Sequence, residues 1–471
     1  MKTLATLLLL SVAAIAQVPP PPQAFSGGPA PVLREPLRTG FTGSIAASGG
    51  PTAAPLDLSL RDALQRGLQY NLGTLTSREI AESTRAERQR VLSALLPSLS
   101  MGATQTSQQI DLVAFGFNQP GFPTIAGPFG YQNVRAYFQQ TIYDRTANRN
   151  LKSAGESVKA ADLNAEDARN LVVQAVSNAY LAVITDAARV DAVQAEITTA
   201  QALFDRASDQ KNAGTVPGID VLRAEVQLRT EQQRLLAQKN QVEKDKLTLA
   251  RVIGLPAGQQ FHIVDALPFT AVPAVLPDLL KKAYENRADF RAAQAIIRAA
   301  EFAVDAARSE RWPSVVVTGD YGDIGRTLAE SHGTYSLLAG VRVPVYTGGR
   351  IQSDIDQASA VLRNKKNVLE EIRGRIDYEI RNAVLDLEST ASQVEVARRS
   401  ADLAAATLLQ ARDRFTAGVT ENIEVIQAQQ LLAGANENYI ASMSQHNAAK
   451  IALATALGNA EESVPQYLNL K

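Results

Sequence analysis

The chain repeats itself after about 200 residues, and this duplication limits the folds that it can adopt. Ala213-Gly214 with Ile219-Asp220-Val221 matches Ala417-Gly418 with Ile423-Glu424-Val425 at an offset of 204 residues (417 − 213). Solenoid repeats are far shorter, with periods of about 20–50 residues. The sequence therefore predicts two copies of a whole structural unit, at 56–257 and 275–460, followed by a C-terminal tail at 461–471.

Each copy contains a long segment in which small and apolar residues recur at alternating spacings of three and four. This spacing forms a heptad seam, which is typical of coiled coils. It predicts helices over about 147–213 and 350–416, each roughly 100 Å long at the usual rise per residue. Shorter return helices are expected at about 219–254 and 423–458. Helices of this length exceed any compact domain, so we expect an elongated coiled-coil body.

A further helix is expected before the strand region of each copy, at about Leu58–Leu96 and Asp278–Arg311. Ser59 with Asp62 three residues later resembles a capping box, which marks the start of a helix. Pro277 suits a first helical turn because that position needs no backbone N–H.

Between the first and the long helix of each copy, the apolar period changes to two, which indicates β-strands. Pro97 and Pro313 begin these segments, since a residue before proline leaves the helical conformation. The clearest alternation runs from Thr334 to Val345, and a weaker one follows Pro97. Each copy predicts two strands of about ten residues, the length of a tilted transmembrane strand. The first copy is longer, and we expect its extra residues in a loop around Phe115–Phe129.

Two placements of the four strands remain open. They can form soluble hairpins packed on the coiled coil, or they can span a membrane. Four strands cannot enclose a channel, and open sheet edges are not tolerated in lipid. If the strands span a membrane, several chains must therefore join to close the barrel.

The N-terminus favours the membrane placement. Lys2, the apolar run Leu4–Ile15 and the small residues Ala14 and Ala16 predict a signal peptide over 1–16. The run is too short to span a bilayer as a helix. Residues 17–55 are rich in proline and glycine and predict a flexible leader.

Composition and motifs exclude several functions. The 47 basic and 48 acidic residues nearly cancel, which argues against a nucleic-acid partner. The chain has no cysteine, and His262, His332 and His446 have no metal-site spacing. Asp320 and Asp323 lie among glycines and predict a turn-rich loop, not a phosphate site. No nucleophile–base pair is evident, so we expect no enzyme activity and no cofactor.

The chain resembles the TolC-like outer-membrane efflux proteins over about 56–460. The resemblance is carried by the segment from Val343 to Arg350 and by the two segments that follow Ala213-Gly214 and Ala417-Gly418. It implies a mostly α, α+β membrane protein. Three chains would form a long coiled-coil tunnel across the periplasm, joined to an outer-membrane β-barrel with four strands from each chain. It also implies a periplasmic adaptor and an inner-membrane pump as partners, contact with outer-membrane lipid, and passive export of small molecules such as drugs or metals.

The resemblance also assigns roles to individual residues. Gly214 and Gly418 correspond to turns at the periplasmic tip. The candidate tip gate comprises Asp220, Glu424, Phe415, Thr420 and Gln427. The candidate junction between barrel and tunnel comprises Pro97, Pro313, Tyr143, Tyr346, Gly348 and Gly349.

The gate departs from the family pattern at Phe415, Thr420 and Gln427, where a tyrosine, an arginine and an aspartate are expected. Because Phe415 has no hydroxyl group, we expect the tip to close by apolar packing and with fewer charges. Asp220 and Glu424 also lie in first helical turns, where an acid is favoured by the helix dipole alone.

Two functions of other classes remain as alternatives. A periplasmic adaptor has one helical hairpin between β-rich domains, whereas this chain has two hairpins. A structural coiled-coil protein would explain the heptads but not the period-two segments.

Overall fold

A computed structural model of the chain describes residues 41–46, 50–51, 54–117, 120–121, 123–256, 258–270 and 275–469. The predicted signal peptide and most of the predicted leader lie outside the described residues.

The same order of elements occurs twice along the chain. The first half contains β1 (Leu56–Leu58), α1 (Leu60–Tyr70), α2 (Leu72–Ser93), β2 (Ser98–Asp111), β3 (Ile125–Tyr143), α3 (Arg145–Asn212) and α4 (Gly218–Ile253). The second half contains β4 (Phe261–Ile263), α5 (Leu276–Asn286), α6 (Ala288–Ser309), β5 (Ser314–Gly325), β6 (Ser331–Arg342), α7 (Arg350–Thr416), α8 (Asn422–Ala456) and α9 (Ala460–Leu468). The predicted long helices and their return helices are confirmed within a few residues at each end.

The first helix of each half is interrupted, where the sequence predicted one continuous helix. α1 and α2 meet at Asn71, and α5 and α6 meet at Arg287. Asn71 is fully buried, and its side-chain amide donates to the carbonyl oxygens of Phe41 at 2.8 Å and Val252 at 3.1 Å. These partners are distant in sequence, so local propensity does not reveal the break.

The predicted signals for the starts of helices and strands are confirmed. The Ser59 hydroxyl accepts from the Asp62 N–H, and the Asp62 carboxylate accepts from the Ser59 N–H, which completes the capping box. Pro277 lies in the first turn of α5, and Pro97 and Pro313 directly precede β2 and β5.

The leader is bonded to the helices at its first described residues. The Leu72 N–H donates to Gly43 O at 2.9 Å, and the Ile45 N–H donates to Tyr70 O at 3.0 Å. These bonds hold the leader against the break between α1 and α2, which corrects the prediction of a flexible leader for residues 41–45.

Four strands form one antiparallel sheet in the order β2-β3-β5-β6. Asp320, Asp323 and the neighbouring glycines lie within β5, which corrects their prediction as loop residues. His332 lies within β6. The strands have 14, 19, 12 and 12 residues, longer than predicted. β3 begins at Ile125, so part of the predicted loop around Phe115–Phe129 is strand.

The helices enclose two apolar cores, the first beside the end of α4 and the second beside the end of α8. In the first, Val172, Val176, Leu249 and Ile253 pack together in the cluster that also contains Tyr180. One 18-residue stretch of α3 is apolar enough to cross a membrane, but 56% of that stretch is buried inside the chain. We interpret α3 as a core helix of the coiled coil.

The C-terminal segment, predicted as a tail, forms helix α9. Its residues Ala460, Val464 and Leu468 are buried in the core of the first half. Spacings of four place these residues on one helical face. This helix therefore connects the end of the chain to the first copy.

Candidate functional site: the helix tips and the strand-to-helix junction

The two tip turns have the same backbone geometry. Gly214 and Gly418 have φ values of +74° and +71°. The N–H of the following residue donates back across the turn, from Thr215 to Gln210 O at 2.9 Å and from Val419 to Arg414 O at 3.0 Å. This is the Schellman pattern, in which a left-handed residue ends a helix. It explains why glycine occurs at both positions.

Asp220 is buried and connects the two tips. Its side chain pairs with Arg223 of the same helix, with Nη1 and Oδ1 3.4 Å apart. Its backbone carbonyl accepts from the side-chain amide of Asn422 at 3.1 Å. Asn422 is fully buried at the start of α8, and its Oδ1 has no hydrogen-bond partner. The sequence indicated Asp220 but not Asn422, whose role depends on a contact between the two copies.

Glu424 is held within its own hairpin. It accepts a hydrogen bond from the Thr420 hydroxyl, and its Oε1 lies 3.0 Å from Nη1 of Arg414. The structure therefore brings together two residues of the candidate gate, Thr420 and Glu424. Arg414 is a further partner that the sequence did not indicate. Gln427 is exposed and separate from these contacts.

Phe415 belongs to an apolar cluster between the two hairpins. It is 6% exposed and packs with Leu203 and Ala207 of α3, Ala224 of α4 and Val425 of α8. The cluster joins all four long and return helices near the tips. Apolar packing at Phe415 therefore holds the two hairpins of one chain together.

A cavity of about 120 Å³ lies between the four helices, farther from the turns. Its lining includes Glu196, Glu231, Gln227 and Gln429. Arg234 Nη1 lies 3.0 Å from Glu196 Oε2 and 2.9 Å from Glu231 Oε2. Gln429 is buried, and neither of its side-chain polar atoms has a partner. These side chains come from separate helices, so no local sequence pattern indicates that they meet.

The neighbouring carboxyl groups of Glu196 and Glu231 predict that the free energy of unfolding depends on pH. Burial raises the pKa of Glu196 to about 7, Arg234 opposes the shift and Glu231 adds to it. Over this range the folded protein therefore keeps a proton that the unfolded chain releases above the ordinary glutamate pKa of 4.5. As the pH rises from 4.5 to 7, the wild type is expected to lose about 2 kcal/mol of stability relative to Glu196→Gln.

Denaturant unfolding of the detergent-purified protein at several pH values measures this difference. Glu243→Gln is the matched control, because Glu243 is exposed on the neighbouring helix and pairs with Lys246 of the same helix. Parallel pH profiles for the wild type and Glu196→Gln would contradict the prediction.

The strand-to-helix junction lies at the other end of the long helices. Gly348 and Gly349 have φ values of +60° and +84°, and Gly349 caps the start of α7. Tyr346 is 90% exposed and Tyr143 is 45% exposed. The chain thus turns sharply from β6 into α7, and two tyrosines remain exposed beside the turn.

Charged contacts fix the junction on the helical side. Arg350 Nη1 lies 2.7 Å from Glu310 Oε2, which ties the start of α7 to the end of α6. The Arg145 guanidinium lies 4.7 Å from the centre of the Trp312 ring, which ties α3 to the segment before Pro313. The tips and the junction are about 100 Å apart along α3.

The sheet has one apolar face that is strongly exposed. Met101, Ala136, Tyr321 and Tyr335 lie side by side across the four strands, and the three larger of these side chains are 65–80% exposed. The opposite face carries mainly polar residues, among them Ser100, Arg135, Asp320 and Ser336, together with some apolar or aromatic side chains such as Tyr137, Ile324 and Leu338. This alternation is typical of strands between lipid and a polar lumen.

Known proteins share both the sequence and the fold. The sequence profile of the family described as "Outer membrane efflux protein" matches residues 79–255 and 279–459. The probable efflux pump outer membrane protein SepC of Pseudomonas putida is 22% identical over 422 residues, which cover 87% of this chain and 85% of SepC. Outer membrane protein OprJ of Pseudomonas aeruginosa is 23% identical over 424 residues, which cover 86% and 84%.

Solved structures agree in fold. The outer membrane protein VceC from Vibrio cholerae superimposes with a TM-score of 0.73 at 18% identity, covering 85% of this chain and 96% of VceC. The MtrE outer membrane channel of Neisseria gonorrhoeae, in its open state, gives a TM-score of 0.73 at 16% identity, covering 89% and 99%. The family profile covers more than half of the chain in two matches. The chain therefore belongs to the outer membrane efflux protein family and is an outer-membrane component of efflux.

Proposed function

We propose that three copies of this chain form a continuous duct, with a twelve-stranded barrel in the outer membrane and an α-helical tunnel across the periplasm. The observation that carries the proposal is the four-stranded sheet, which has an exposed apolar face and is joined directly to helices of about 100 Å.

The sheet edges support assembly from several chains. Within the described residues, β2 and β6 each have one edge without a partner strand. Lipid offers no hydrogen bonds to such an edge, so the sheet must close when it enters a membrane. Four strands cannot enclose a channel. Pairing of β2 with β6 of a neighbouring chain closes the barrel and leaves no edge.

The helices supply the periplasmic part. The two copies, 56–257 and 275–460, each contribute a hairpin to the tunnel wall. In this proposal Asp220, Glu424, Phe415, Thr420 and Gln427 lie at the periplasmic tip, with apolar packing around Phe415 as the main closing contact. Pro97, Pro313, Tyr143, Tyr346, Gly348 and Gly349 form the transition from barrel to tunnel, and the exposed tyrosines meet the membrane boundary.

The duct works without chemistry of its own. The duct docks to a periplasmic adaptor, an inner-membrane pump supplies the driving force, and small molecules leave passively through the lumen. Relatives named as outer membrane proteins of a toluene efflux pump and an antibiotic efflux pump, both from Pseudomonas putida, support this class of cargo. The names of these relatives describe transport proteins, which agrees with a non-enzymatic role for this chain.

The first experiment is the mass of the detergent-extracted protein, corrected for bound detergent. Three chains of about 50.5 kDa or slightly less are expected, from an outer-membrane fraction. The same preparation is expected to conduct ions after insertion into a planar bilayer. A monomer recovered without detergent would remove the barrel and favour a soluble coiled-coil protein.

A further inference from the structure

The polar face of the sheet carries an arginine that lies across three strands. Arg135 of β3 pairs with Asp320 of β5, and its Nη2 donates to the Thr334 hydroxyl of β6 at 2.5 Å. Its Nε also donates to Asn133 Oδ1 at 3.3 Å. The guanidinium is therefore held by partners on β3, β5 and β6.

The neighbouring strands leave room for this side chain. Arg135 lies in register between Gly102 of β2 and Gly322 of β5. A Cβ atom at Gly322 would come within 2.6 Å of Arg135 Cα and within 2.3 Å of Val134 O. Glycine at 322 thus permits the close approach of β3 and β5 beside the arginine. The pair is a built feature of the sheet, not a chance contact of two long side chains.

Charges are sparse on this face. Among the described residues of the four strands, Arg135 and Asp320 form the one ion pair between charged side chains. Their side chains are only 14% and 21% exposed. Asp323 lies three residues farther along β5 and therefore on the opposite, apolar face.

We propose that the Arg135–Asp320 pair sets the ion preference of the barrel lumen. This inference rests on the proposed function, since it requires the polar face to line a closed barrel. Three copies would place three arginines and three aspartates at one level of the lumen. Charged rings in a low-dielectric wall determine which ions pass. The balanced pair keeps the net charge at this level at zero, so the lumen admits cationic and anionic solutes alike.

Single-channel reversal potentials in a salt gradient test the proposal. Asp320→Asn leaves three unbalanced arginines and is expected to raise the chloride-to-potassium permeability ratio about threefold. Arg135→Gln is expected to lower the ratio by a similar factor. The double variant Arg135→Gln/Asp320→Asn is expected to return close to the wild-type ratio. Asp323→Asn is the matched control, and its ratio is expected to stay at the wild-type value.

The outcomes separate the two proposals. Wild-type protein that never conducts overturns the proposed duct. Wild-type conductance with unchanged ratios in both single variants overturns the lumen pair alone. If a single variant fails to insert, Ser336→Cys carries the test, because Ser336 lies opposite Asp320 and the chain has no other cysteine. A positively charged thiol reagent should then shift the ratio towards chloride, and no shift overturns the inference.

Discussion

Replacement of Phe415 by alanine is expected to lower the free energy of unfolding by about 3–4 kcal/mol and to loosen the tip. The ring is buried among side chains from α3, α4 and α8, so its removal leaves a cavity where both hairpins meet. Denaturant unfolding measures the stability change. Hydrogen exchange over the two tip turns, compared with the core around Tyr180, shows whether the loosening is local.

Two further substitutions at this position define the mechanism. Phe415→Leu keeps an apolar side chain and is expected to cost only about 1 kcal/mol. Phe415→Tyr introduces the hydroxyl that the family pattern carries. If apolar packing closes the tip, this hydroxyl gives no added protection from exchange. Stronger protection in the tyrosine variant, together with unchanged protection in the alanine variant, would show that polar contacts close the tip.

Replacement of Arg287 by alanine is expected to destabilise the chain by about 3 kcal/mol, because it removes a buried guanidinium together with its charge-assisted hydrogen bonds. Asp289 keeps a second cation, Arg375, whose Nη2 lies 3.3 Å from its Oδ2. The guanidinium lies 2.7 Å from Asp289 and also bonds Glu379 of α7 and the carbonyl of Ala456. Burial and Asp289 already raise the pKa of nearby Asp167 to about 6, against the effect of Arg287. Loss of the arginine should raise that pKa further and shift the stability maximum to lower pH.

Arg291→Ala provides the matched comparison one turn later in α6. Its partner is Glu166, with Nη1 and Oε1 3.5 Å apart, and both side chains are more than 40% exposed. Exposed pairs of this kind contribute about 0–1 kcal/mol. If both alanine variants lose the same free energy of unfolding, burial does not determine the destabilisation at Arg287.

The sequence could predict features that local chemistry determines. Ser59 with Asp62 marked a helix start, Pro97 and Pro313 marked two strand starts, and the glycines at 214 and 418 marked the turns. In each case the residue acts on its own backbone or on one a few residues away, so a single segment contains the signal.

Features that depend on distant partners could not be predicted in the same way. The break at Asn71 depends on carbonyl groups of Phe41 and Val252. Asp320 was assigned to a loop because its glycine neighbours suggest turns, whereas one of them makes space for Arg135 on the adjacent strand. Asn422 at the tip and Gln429 in the cavity between the helices are buried only because the two copies pack together there.

The two open edges of the sheet also concern how the protein is made. A newly exported chain carries β2 and β6 with unpaired backbone groups and an uncovered apolar face, which together favour aggregation. If several chains close the barrel together, as proposed, a single chain should be short-lived. Correct assembly should then depend on the local chain concentration, and a shortage of neighbouring chains should lead to degradation of single chains.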